Sequence, residues 1–242
     1  MTEFTKLSFK KGEMNTTLAG LFKDMIEKGT VEAVLTPAAH PSRGVMQTLI
    51  TDPKKTGIVD PFAPVVPVNS AKIAASLTAR PSGRPVAMVM RSCEVRALIE
   101  LVKLKQANLD DVILIGLDCL GRYENEDFLK LQEQGGTAES FLENVRSCET
   151  ASNGIDITEA CKICEHPVAD NVDMRLCAVG ADPDAVYVEW VTEKGQAVRE
   201  KIGHPASGAP GKRTEAVDKL TQARTDARDQ RFSDFRESTN SF

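Results

Sequence analysis

Cysteine is the residue type whose number and spacing carry chemistry in this chain. Cys93, Cys119, Cys148, Cys161, Cys164 and Cys177 stand among 242 residues that include only three histidines. Cys161-Lys162-Ile163-Cys164 is a CxxC, a spacing that lets two sulfurs reach one metal centre. Alone, it is open between zinc, a redox dithiol and an iron–sulfur centre. A redox dithiol wants its CxxC at the start of a helix. Here Glu165-His166-Pro167 follows at once, and a proline disfavours helix at the residue before it. With Cys93 and Cys119 the CxxC makes four thiolates, which suits a cubane cluster or a tetrahedral zinc ion. The spacing does not choose between them, although two ligands supplied singly from separate loops lean toward a cluster built inside a larger fold. Cys148, in a polar stretch, is a candidate substitute ligand. Cys177, within Leu-Cys-Ala-Val, reads as a small buried hydrophobe. His166 reads as a proline-flanked surface residue. The chain has no GxGxxG, Walker A, HExxH or GxSxG motif.

The elements around these cysteines are legible. Residues 86–90 (VAMVM) and 112–117 (VILIGL) are apolar runs of strand length. Between them, residues 94–107 carry Val95, Leu98, Ile99 and Val102 at helical spacing. Strand, helix, strand at these lengths predicts a βαβ unit with parallel strands. Cys93 and Cys119 then lie just beyond the carboxyl ends of neighbouring strands, the edge at which open α/β sheets bind ligands. A helix N-terminus at Cys93 is expected to lower its pKa. Gly116-Leu117-Asp118-Cys119-Leu120-Gly121 has the glycine density for close backbone approach to a ligand, or simply for a tight exit from a buried strand.

Elsewhere, residues 1–14 read as a leader or edge segment. Residues 16–27 form an amphipathic helix stopped by Gly29, and 31–35 a short strand. Residues 37–67 read as a long irregular segment with a short strand near 46–50, and 69–77 as a helix with Asn69 as N-cap. Helices are expected over 126–134 and 137–145, a loop over 153–165, and strands at 176–179 and 185–191. The predicted class is α/β (α+β): a partly parallel sheet with flanking helices and a charged C-terminal helix. One domain spans 1–202, with cysteine loops near 91–121 and 148–166. A linker follows at 203–212, then a helix or tail at 213–242. The apolar stripe of that tail is thin, so it is expected to dock a partner rather than pack deeply on its own domain.

Composition sets limits. Lysine and arginine number 30 against 35 aspartates and glutamates, a net charge of −5, which argues against a broad nucleic-acid footprint. No apolar run approaches membrane-span length, and the first residues carry no secretory signal. The expected location is the cytoplasm, where cysteines stay reduced and serve as ligands or buried thiols.

At these residues the chain resembles the beta subunits of F420-reducing (8-hydroxy-5-deazaflavin) hydrogenases and the related formate dehydrogenases. The likeness runs in order through residues 16–35, 92–98 (SCEVRAL), 116–119 (GLDC), 161–164 (CKIC), Val172-Asp173 with Gly180, 191–195 (VTEKG) and the charged C-terminal helix. It departs at Asn15-Thr16, where the family has a glycine pair near its flavin, at residues 64–70 (PVVPVNS), and at Ser92 in place of a proline. The resemblance implies one [4Fe–4S] cluster on Cys93, Cys119, Cys161 and Cys164, with FAD beside it. For the flavin pyrophosphate, Thr16, Thr17, Asn69, Ser70 and Lys72 are candidates because they lie at helix N-termini. It also implies an electron-transfer subunit of a hydrogenase, formate dehydrogenase or heterodisulfide-reductase-type complex, passing electrons between a soluble hydride carrier and a partner chain. The alternatives are a flavin-less [4Fe–4S] relay and a zinc-stabilised, non-catalytic assembly subunit.

Overall fold

The computed structural model describes residues 3–80, 83–146 and 154–239. Seven strands form one sheet: β1 (Glu3–Ser8), β2 (Ala33–His40), β3 (Gly44–Ile50), β4 (Val86–Arg91), β5 (Val112–Leu117), β6 (Met174–Cys177) and β7 (Ala185–Trp190). Their spatial order is β1-β7-β6-β5-β4-β2-β3. The central strands β2, β4, β5 and β6 are mutually parallel, and the pairs β1/β7, β6/β7 and β2/β3 are antiparallel. The chain is thus α/β, as its sequence predicts, with the βαβ unit β4–α3–β5 at its centre, where α3 is Ser92–Lys103.

Why the centre is parallel follows from its residues. All six positions of β5 are buried, the mark of a strand covered on both faces. Its side chains alternate accordingly. Val112 and Leu114 join a core with α2 (Ser70–Thr78) and α3. Ile113, Ile115 and Leu117 face the larger core with α1 (Met14–Glu27). Buried apolar side chains contribute about 1.5–3 kcal/mol each relative to exposure. A polar residue on β5 would therefore unbalance either face.

Several elements extend the sequence reading. The first residues supply edge strand β1, and the segment 37–67 is more ordered than its prolines suggest. β2 runs on to His40 and turns into β3, and a 3-10 helix over Pro53–Ile58 is capped by Asp52, whose carboxylate accepts from Lys54 N–H. α4 (Asn125–Glu133) and α5 (Ala138–Arg146) match expectation. One turn of helix, α6 (Glu159–Lys162), stands where a loop is predicted. Helix α7 (Glu193–Ile202) is not foreseen; Thr192 caps it by accepting from Gly195 N–H. Residues 203–212 run back against β1: Ser207 N–H donates to Phe4 O at 2.6 Å, and Thr5 Oγ1 donates to Pro205 O at 2.8 Å. They lead into the long helix α8 (Arg213–Thr239). No helix among the described residues is long and apolar enough to cross a membrane.

Candidate metal centre

Three segments meet at the carboxyl edge of the parallel strands. Cys93 is the second residue of α3, directly after β4, and Cys119 follows β5 by two residues. Cys161 lies within α6 and Cys164 just after it. Backbone hydrogen bonds tie the segments together. Cys119 N–H donates to Pro167 O at 2.7 Å, and Thr158 N–H donates to Arg122 O at 2.9 Å. Electrostatic interaction couples Cys93 with Cys119 and Cys164, and Cys119 with Cys161, so all four sulfurs lie in one neighbourhood. Cys93 is exposed; Cys119, Cys161 and Cys164 are half-buried. Among the described residues, no three His, Cys, Asp or Glu side chains close round a single ion. Cys177 is fully buried in β6, as expected; Cys148 lies outside the described residues.

The electrostatics correct one expectation. Although Cys93 is exposed, partial desolvation by the surrounding protein, then Cys119, then Glu94, pushes its thiol up to about 12, so the helix N-terminus does not dominate there. Burial also raises Cys119, against the opposing pull of Arg91, a Gly121 N–H bond and Arg224. Thiols held neutral in this way become thiolates when a metal displaces their protons.

Arg91 and Glu94 form the floor beneath Cys93, and both are almost fully buried. Glu94 Oε2 accepts from Arg91 N–H at 3.0 Å; its Oε1 accepts from Ser70 N–H at 2.9 Å and Ser70 Oγ at 2.5 Å. The Arg91 guanidinium donates to Ala63 O. Each partner of this network is satisfied, as a buried charge requires. Ser70 is thereby engaged inside the protein. Asn69 is too, its Oδ1 accepting from Ala71 N–H at 2.9 Å as the N-cap of α2. Thr16 and Lys72 are exposed and Thr17 half-buried. The helices bearing these candidates pack on opposite faces of the sheet, α1 against one core and α2 against the other. Both precede a central parallel strand, so both begin at the edge that carries Cys93. At the start of α1, Asn15 donates to the Asp60 carboxyl, while Oδ1 of Asn15 and Oδ1 of Asp60 are buried with no hydrogen-bond partner.

The glycines of the Cys119 turn serve the fold rather than a ligand. A Cβ on Gly116 would stand 2.6 Å from the Ala169 side chain, and one on Gly121, with φ of 118°, would stand 2.9 Å from Ile157. Protein, not ligand, makes the close approach.

Residues that sequence reasoning missed lie on α8. Asp118, fully buried, accepts from Ala178 N–H at 2.9 Å, Val179 N–H at 2.8 Å, and both terminal nitrogens of Arg213 at 2.8 and 3.1 Å. Arg224, also buried, donates through Nη1 to Cys119 O at 3.1 Å and Cys164 O at 3.3 Å. Arg228 pairs with Glu165, and Arg231 with Glu159 at 2.8 Å. Ala216, Val217 and Leu220 pack against the main core. The weak attachment expected from the thin apolar stripe is thus corrected: arginines complete the contact face. The signal was their spacing. Arg213, Val217, Leu220, Arg224, Arg228 and Arg231 follow one another at steps of three or four residues, along one face of the helix.

No protein-family model matches the chain. It is 26% identical over 214 residues to the F420-dependent formate dehydrogenase subunit beta of Methanocaldococcus jannaschii, covering 79% of this chain and 55% of that protein. It is 24% identical over 233 residues to the F420-dependent formate dehydrogenase 1 subunit beta of Methanococcus maripaludis, covering 83% and 58%. The chain therefore spans little more than half the length of these relatives. A chain of the F420-reducing [NiFe] hydrogenase complex from Methanosarcina barkeri, solved as a xenon derivative, shares its fold with a TM-score of 0.66. That match covers 97% of this chain and 91% of the other at 13% identity. The chain is thus similar in sequence to beta subunits of F420-dependent formate dehydrogenases, and similar in fold to a chain of an F420-reducing hydrogenase complex.

Proposed function

We propose that the chain is an electron-transfer subunit of an F420-linked oxidoreductase, with Cys93, Cys119, Cys161 and Cys164 holding one [4Fe–4S] cluster. The observation that carries this reading is the convergence of four cysteines from three segments at one sheet edge, beside two buried arginines. The donor set fits the group: four thiolates are what such a cluster takes. A tetrahedral zinc ion would want its sulfurs about 3.8 Å apart, given Zn–S bonds of about 2.3 Å. A cubane spreads its four ligands over four irons. When bound, the cluster supplies one-electron transfer. The residues around it position the ligands, exclude water and balance charge.

FAD beside the cluster completes this reading, since a flavin converts hydride transfer into single-electron steps. The start of α1 supports it best. The orphaned oxygens of Asn15 and Asp60 suit hydrogen-bond donors of a cofactor, such as ring N–H or ribose hydroxyl groups, and Thr16 and Thr17 follow directly. Lys72 offers an exposed ammonium. Asn69 and Ser70 already have partners within the protein. The carrier would be F420-like, the partner another subunit of the complex, and the location the cytoplasm.

Anaerobic purification with metal and flavin quantification tests the reading. About four iron atoms per chain, from the cluster stoichiometry, with about one FAD is the expected result. Stoichiometric zinc without iron would overturn it in favour of an assembly subunit. Iron without flavin would reduce the chain to a relay.

A further inference from the structure

Arg224 is a buried cation, 7% exposed, that makes no ion pair among the described residues. Its recorded bonds run from one terminal nitrogen to two main-chain carbonyls, those of Cys119 and Cys164. Carbonyl oxygens accept hydrogen bonds but carry no formal charge to offset a guanidinium. A buried charge without a counter-charge costs several kcal/mol. The other buried arginines near the centre differ: Arg91 has Glu94, and Arg213 has Asp118. Arg224 therefore lacks an anion where the cysteines gather. Four thiolates around an oxidised cubane carry a net charge of about −2, more when reduced, and would supply one.

We propose that Arg224 is the positioning and charge-balancing residue of the cysteine centre, and that α8 is a strap that fastens the Cys119 and Cys161–Cys164 segments around it. This rests on the cluster reading above. Four arginines of α8 reach residues within two positions of a candidate ligand or the ligand's own backbone: Asp118, the Cys119 and Cys164 carbonyls, Glu165 and Glu159. Cys93, on α3, is held separately by the Arg91–Glu94 floor. A cation fixed beside the centre favours its more negative, reduced state and so raises its potential. Outer partners that orient metal ligands control affinity as well.

The test uses the full chain, purified anaerobically, with R224Q, R224K, E165Q and R228Q compared with the unsubstituted protein. Iron content, the rate of iron loss to a ferrous chelator and the midpoint potential from a spectroscopic redox titration are measured. R224Q should lose iron about tenfold faster or more and shift the potential negative. R224K, which keeps the charge, should hold the potential near that of the unsubstituted chain. E165Q and R228Q alter a pair at the edge and should speed iron loss while leaving the potential in place. These two variants decide the strap if R224Q fails to fold. Unchanged potential and iron loss in R224Q would overturn the role of Arg224, and unchanged iron loss in both edge variants would overturn the strap. An unsubstituted chain that binds no iron would overturn the cluster reading itself and this inference with it.

Discussion

Arg213 and Asp118 meet through two hydrogen bonds, 95 residues apart in sequence and buried where the first turn of α8 crosses the end of β5. Asp118 precedes a candidate ligand, and Arg213 opens the helix that covers it. The pair joins the C-terminal segment to the loop on which a centre depends. Removing one partner leaves the other buried and uncompensated, which typically costs about 3–5 kcal/mol. D118A should be destabilised by that amount in urea denaturation, more than D118N, which keeps an acceptor for Ala178 and Val179. Equal stability of D118A and the unsubstituted chain would refute the assignment.

Substitution of the cysteines one at a time should divide them into two groups. C93S, C119S, C161S and C164S should each lose most of the bound iron and its visible absorption. C177A should keep both, since Cys177 lies within β6 under Arg175 and Glu189 rather than with the other sulfurs. Iron analysis after anaerobic reconstitution reads the division directly.

Asp60 gives stability a pH dependence of known sign. Burial raises its carboxyl to about 6 from an ordinary 3.8, against the opposing effects of the Asn15 hydrogen bond and the Arg91 charge. The folded state therefore holds this proton more tightly than the unfolded state does. The contribution is fully present below pH 3.8 and is lost as pH rises through about 6. At about 1.36 kcal/mol per unit, the effect is on the order of 2–3 kcal/mol. D60N, neutral throughout, should be more stable than the parent above pH 6 and show a flatter profile in denaturant titrations between pH 4 and 7. A parent profile that rises across this window would contradict the account.

Gly180 is a further sensitive position. Its φ of 71° is left-handed, and a Cβ there would stand 2.5 Å from the Arg213 Cα, so backbone rather than a flexible side chain would have to move. G180A should cost about 1–3 kcal/mol and loosen the start of α8. Limited proteolysis within residues 203–212 should then be faster, with wild-type cleavage rates counting against the idea.

The sequence made the centre of the sheet legible because burial on both faces leaves long apolar runs, such as Val112–Leu117, bounded by polar turns. It made the strand-end placement of Cys93 and Cys119 legible for the same reason, since parallel βαβ topology has a fixed hand. Where it ran short, the information was not in apolar periodicity. β2 continues through Pro37 because its pairing with β4 ends at Leu35, and on that side Pro37 only accepts, its carbonyl taking the Asp60 N–H. The grip of α8 comes from arginines, which an apolar stripe omits although their aliphatic stems and guanidinium groups do the holding. The raised Cys93 thiol depends first on desolvation by the packed segments around it, then on Cys119, 26 residues away, and Glu94 next door, and no local pattern reports such a sum.

Synthesis runs from the N-terminus, and α8 lies after every candidate ligand in the chain. Cys119, Cys161 and Cys164 thus emerge from the ribosome before Arg224, Arg228 and Arg231, whose side chains bond their segments. At the usual pace of about 5–20 residues per second, the 60 residues between Cys164 and Arg224 leave an interval of about 3–12 seconds. During that interval the edge that carries these cysteines is uncovered, and the arrival of α8 closes over it.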